Sequence, residues 1–145
     1  MFSRLMFATL ALFIAGLFLY NGATQAQEKG SKVLAKGEFQ NADKAGKGTA
    51  TVYELANGKR VLRLSNFATD NGPDLHVRLI AADDAKDTAS VAKADHVELG
   101  NLKGNKGDQN YDVPENVDLS KYKVVSIWCN RFSVNFAAAP LKAGK

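Results

Sequence analysis

"GTATVYELANGKRVLRLSNF", Gly48–Phe67, reads as two extended arms around a reversal. Each arm alternates apolar and polar residues, the period-two pattern of a strand with one buried face. Between them Asn57-Gly58 is the pair that a tight hairpin turn favours, because both types tolerate positive φ. The same alternation recurs downstream. "DLHVRLIA", Asp74–Ala81, puts Leu75, Val77 and Leu79 on one face and His76 and Arg78 on the other. "DHVELGNL", Asp95–Leu102, "YKVVSIWC", Tyr122–Cys129, and "RFSVNFAA", Arg131–Ala138, continue the series. Helical periodicity is weak. Its best carrier, the alanine-rich and acidic "AADDAKDTASVAKA" of Ala81–Ala94, offers Val91 as its one clearly apolar residue and predicts a turn or a short exposed helix. The expected fold is therefore all-β, a compact antiparallel β-sandwich or barrel-like domain whose inner faces bury each other.

Outward to the N-terminus the pattern changes. "MFSR" carries one positive charge at Arg4, Leu5–Tyr20 is uncharged, and "NGATQAQ" supplies small residues. Basic, apolar and then small-residue regions are the order of a secretory signal. Thr24 and Ala26 suit the positions three and one before a cut, which predicts a signal peptide over 1–26 and a single domain over 27–145. The alternative is an uncleaved membrane anchor, for which the sixteen-residue run is short of the roughly 20 that a bilayer core needs. With the signal removed, no stable membrane span is expected. The expected address is exported, periplasmic or extracellular.

The formal net charge of +4 is spread among mixed lysines and carboxylates, with no basic run or module for nucleic acid. One cysteine cannot form a disulfide within its own chain, so the hydrophobic core must hold the fold. Enzyme signatures are missing as well: no nucleophile elbow, no HExxH and no dinucleotide-binding glycine pattern.

Cys129 is then the sharpest chemical candidate, read either as a buried core thiol or as a redox thiol. A guanidinium beside the sulfur favours thiolate, and Arg131 shares its side of the strand only if the chain there is regular. Val125, Ile127 and Cys129 have one parity and Phe132, Val134 and Phe136 the other, so the alternation resets near "CNR" through a bulge or a turn. Ligand counting prunes the cofactors. Met1 and Met6 belong to the leader and no CxxCH occurs, which leaves cysteine or histidine ligation of a haem as the open chemistry. His76 reads as an edge imidazole or a ligand, His96 as a local hydrogen-bonding residue, and Trp128 as packing or as the wall of a cofactor pocket. "NFATDNGPDLHV", Asn66–Val77, is a structural turn or a calcium site using Asp70 and Asp74, although its spacing is not that of an EF-hand. "LGNLKGNKGDQNYDVP", Leu99–Pro114, is a second polar turn without the Lys-Ser/Thr pair of a phosphate loop.

Three blocks together, "LSNFATDNGPDLHVRL" (Leu64–Leu79), "LGNLKGNKGDQNYDVPENVDLSKYKVVSIWC" (Leu99–Cys129) and "NRFSVNFAAAPL" (Asn130–Leu141), resemble the DM-thirteen domain, often described as an electron-transfer domain. The resemblance implies a small secreted or cell-surface β domain with a characteristic cysteine near its C-terminal strands, the place of Cys129 in "IWC". It implies redox chemistry through a bare thiol or a bound group such as haem, for which Cys129, Trp128 and His76 are the candidate pocket. The expected partner is an extracytoplasmic redox protein or a cell-surface component. The other class of function left open is a noncatalytic binding module with Cys129 in core packing.

Overall fold

A computed structural model describes residues 30–144; the expected leader, residues 1–26, lies outside them. Among the described residues there is no helix, and ten strands build two antiparallel five-stranded sheets. In chain order they are β1 Lys32–Glu38, β2 Gln40–Asn41, β3 Gly46–Glu54, β4 Arg60–Thr69, β5 Leu75–Ile80, β6 His96–Asn101, β7 Gln109–Val113, β8 Val124–Cys129, β9 Val134–Pro140 and β10 Lys142–Ala143. One sheet runs β10-β1-β3-β4-β7 and the other β2-β9-β8-β5-β6. This is the sandwich that the alternation predicts.

Its centre is the hairpin of β3 and β4, paired from Glu54↔Arg60 to Gly46↔Thr69. The connection is longer than a two-residue turn. Leu55 N donates to Lys59 O, Lys59 N donates to Asn57 Oδ1, and Gly58 takes a φ of 84°, where a side chain would be strained. Ala50, Val52, Leu62 and Leu64 project inward from this hairpin and are fully buried. Opposite them lie Val77 and Leu79 of β5, Val125, Ile127 and Cys129 of β8, and Phe136, Ala137 and Ala139 of β9. The rings of Phe39 and Phe67 meet at 4.9 Å and help to fill the interior.

The parity reset near Cys129 has two parts. Asn130–Ser133 is a turn between β8 and β9, with Ser133 at a φ of 51°. Then β9 bulges: Trp128 pairs with Asn135 but Ile127 with Ala137, so Phe136 is the extra residue. Phe136 and Ala137 consequently both enter the core. Phe132, expected in the same apolar row, belongs to the turn and is 60% exposed.

The acidic segment after β5 forms turns, one of its two expected forms, but it is not wholly exposed: it covers part of the outer face of the second sheet. Ala85 and Val91 pack there against Ile80, Val124, Trp128 and Ala138. Asn135, fully buried, fastens the segment: its Nδ2 donates to Ala85 O at 3.1 Å and Asp87 O at 3.3 Å, and its Oδ1 accepts from Ser126 Oγ at 2.8 Å. Thr88 Oγ1 accepts from Asn135 N at 2.9 Å and is itself bonded to Asp43.

Candidate functional site

The two polar turns singled out in the sequence meet at one end of the sandwich. Leu102 N donates to Leu75 O, Thr69 N to Asn105 O, and Gly107 N to Phe67 O, which fixes the β6–β7 loop against the β4–β5 turn. The loop is also pinned from beneath. Buried Gln109 exchanges bonds with Gly104 in both directions, and Tyr111, its hydroxyl donating to Gln109 Oε1, accepts from Lys103 N. Burial raises the pKa of that phenol, against the Lys103 N–H bond that lowers it, so the hydroxyl stays neutral and free to donate. Between turn and loop opens a cleft of about 290 Å³, lined by Asn71–Leu75, Asn101, Leu102 and Asn105. Gly72 is needed there for size: a Cβ would come within 2.7 Å of Leu75 and 2.9 Å of Phe136.

Asp74 carries this end of the molecule over to the outer face of the second sheet. His76 is flanked by two carboxylates, Nδ1 at 2.5 Å from Glu98 Oε1 and Nε2 at 2.8 Å from Asp74 Oδ1. Arg78 donates to Glu98 Oε2 at 2.9 Å and to Asn130 Oδ1 at 2.7 Å, with its guanidinium 5.3 Å from the Trp128 ring centre. Asn130 N donates to Asp74 O, tying the β8–β9 turn to the same cluster. Burial of the His76 ring disfavours its charge, but the hydrogen bonds it donates to Glu98 and Asp74 and their negative charges outweigh it and raise the pKa. As an imidazolium His76 donates from both nitrogens. Asn130 Nδ2, 3.0 Å from Nε2, is the donor that this nitrogen accepts when the ring is neutral and Nδ1–H still faces Glu98.

The raised pKa gives His76 a signed pH dependence. The charged pairing stabilises the fold fully below the unfolded value near 6.5, and that contribution is lost as pH rises through the higher folded value. Denaturant titrations of the wild type and His76→Gln should therefore differ most below pH 6.5 and converge in alkaline solution. A gap that widened with pH would contradict this pairing.

The structure separates the sequence candidates. Cys129 and Trp128 are neighbours on β8 and therefore face opposite sides of the sheet. Cys129 is 0% exposed within the inter-sheet core, with Leu75 its direct partner across the strands, whereas Trp128 joins Arg78 and His76 on the outer face. They do not form one pocket. Arg131 lies in the exposed turn beyond the strand end. Asp70 and Asp74 are divided as well: Asp70 lines a different cleft, of about 320 Å³, beside Lys47 and Lys106, while Asp74 is committed to His76. Among the described residues no group of three or more His, Cys, Asp or Glu could hold a metal ion. His96 is exposed at the start of β6.

Cys129, Trp128 and His76 do not form a haem site. The only sulfur of the described residues is enclosed by core side chains, and both His76 nitrogens are already engaged, Nδ1 by Glu98 and Nε2 by Asp74 and Asn130. Glu98, Asn130 and Asn135 carry no signal of their own in the sequence. Arg78 shares the parity of His76, but Glu98 reaches them only through the irregular β5–β6 register, Val77↔Gly100 followed by Arg78↔Glu98.

Comparison with known proteins adds one match. The model of the family described as Electron transfer DM13 matches residues 38–141, well over half of the chain. No curated protein and no solved structure gives a significant match.

Proposed function

Since this chain belongs to the DM13 electron transfer family, we propose that it is an exported, noncatalytic binding module of an electron-transfer setting, with its one cysteine in core packing. The observation that carries the reading is the position of Cys129, wholly buried between the sheets and turned away from the polar surface residues. Thiol–disulfide exchange needs a thiolate that a partner can reach. A sulfur at zero exposure meets neither a partner disulfide nor a prosthetic group. What remains available for recognition is the loop end of the sandwich, held rigid by backbone bonds and by Gln109 and Tyr111. The basic start, apolar run and small-residue exit of residues 1–26 support the extracytoplasmic address. The component bound is a protein or a constituent of the cell surface.

Timed alkylation tests the assignment. Cys129 in the folded protein should react at least about a thousandfold more slowly than after denaturation, because access requires the core to open. Cys129→Ser should leave partner binding unchanged and the purified wild type should show no visible absorption band.

A second reading keeps the family's redox chemistry on Cys129 itself. It is favoured by the place of this residue at the last position of β8, directly before the Asn130–Ser133 turn and opposite Leu75, which floors the cleft. Opening of one strand end then suffices to expose the sulfur. Alkylation much faster than global unfolding, together with loss of partner oxidation in Cys129→Ser, would select this reading over the first.

A further inference from the structure

The cleft between the β4–β5 turn and the β6–β7 loop is preformed, polar and almost free of charge. Asn71, Asn101 and Asn105 line it, and no side-chain hydrogen bond within the described residues engages their amides. No lysine or arginine lines it. Its one carboxylate, Asp74, already directs Oδ1 to His76. Leu75 and Leu102 supply an aliphatic floor, and the bond between Leu102 N and Leu75 O at 2.8 Å holds the two together.

We infer that this cleft binds a polyhydroxylated ligand, a sugar unit of a cell-surface glycan. The inference rests on the reading of the protein as a binding module and names the ligand class for it. Each amide offers two donors and one carbonyl acceptor. Adjacent hydroxyls of a sugar present the same mixture of donors and acceptors, with C–H faces for the two leucines. An anion finds no cation in the cleft and meets Asp74. An apolar ligand would strip water from three amides without replacing their hydrogen bonds. The volume of about 290 Å³ suits one small ring, and rigid walls reduce the ordering cost of binding it.

The cleft lies at the end of the sandwich opposite the β3–β4 hairpin. β1 begins at Lys32 opposite Glu54, at the hairpin end of the sandwich, whereas β4 ends at Thr69 beside the cleft. The ten residues of β4 separate the two ends by about 30 Å. The cleft thus lies at the other end of the sandwich from the start of β1.

The test is an NMR titration of the full chain with methyl glucoside, methyl mannoside and N-acetylglucosamine, and with inorganic phosphate as the anionic probe. At least one sugar should give saturable shifts at the side-chain amides of Asn71, Asn101 and Asn105, and phosphate should give none there. Asn71→Ala with Asn105→Ala should weaken the sugar about tenfold, each lost hydrogen bond counting for part of it, with an unchanged melting temperature. Three results overturn the proposal: no saturable shift with any of the sugars, equal shifts with phosphate, or sugar binding that the double variant retains in full. The binding-module reading fails separately. Rapid alkylation of Cys129 in the folded protein would defeat the core-packing assignment while leaving a sugar titration as it stands.

Discussion

Gly37→Ala should unfold this protein about 10 °C earlier than the wild type, for a loss of about 3 kcal/mol. A methyl group built on Gly37 would lie 1.9 Å from the carbonyl oxygen of Pro140 and 2.8 Å from its carbon. Those are backbone atoms and cannot turn aside as a side chain can. They belong to the point where the chain leaves β9 in one sheet and enters β10 in the other. β10 pairs with β1 directly after this crossing, Lys36↔Lys142 and Ala35↔Ala143. Leu141 N donates to Lys123 O at 2.6 Å and anchors the crossing from the far side. A side chain at position 37 must therefore push β10 off β1 or shift β1 against Ala50, its partner in β3. Thermal unfolding and hydrogen exchange at Lys142 and Ala143 measure the two consequences. A loss below about 1 kcal/mol, with exchange unchanged, would show that the crossover relaxes around a methyl.

Asn135→Ala is expected to cost about 2–4 kcal/mol, since each buried polar group deprived of its partner costs roughly 1–3. The substitution orphans the Ser126 hydroxyl and takes a donor from two carbonyls, those of Ala85 and Asp87. Its local effect should be the release of the segment after β5, whose only fully buried contacts to the sheet are made by Ala85 and Val91. Amide exchange within residues 81–95 should then accelerate far more than exchange in β3 or β4. Adding Ser126→Ala removes the orphaned hydroxyl and should return about 1 kcal/mol, so that the two changes couple rather than add. Strict additivity, or uniform exchange across the domain, would contradict the role assigned to Asn135.

The strand content was legible in the sequence because a two-sheet core imposes period two on every strand that lines it. Val77 and Leu79 point inward, and His76 and Arg78 outward, as that parity requires. Less was legible where several segments decide together. Ala81–Ala94 has too few apolar residues for a helix that would cover a sheet, and turns let it bury just Ala85 and Val91. Phe132 shares its parity with Val134 and Phe136, yet the turn that reverses the chain carries it into solvent.

The all-β class, the hairpin around Asn57-Gly58 and the family are written in local patterning and in residue blocks read along the chain. Which candidates share a site depends on how the strands pair. Cys129 and Trp128, adjacent in the chain, are placed on opposite faces, while His76, Glu98 and Asn130, far apart in the chain, form one hydrogen-bonded cluster. The physical reason is that strand pairing sets neighbours by register. A bulge at Phe136 and another opposite Val77 shift that register by single residues, and no local propensity encodes which residue of the partner strand then lies opposite.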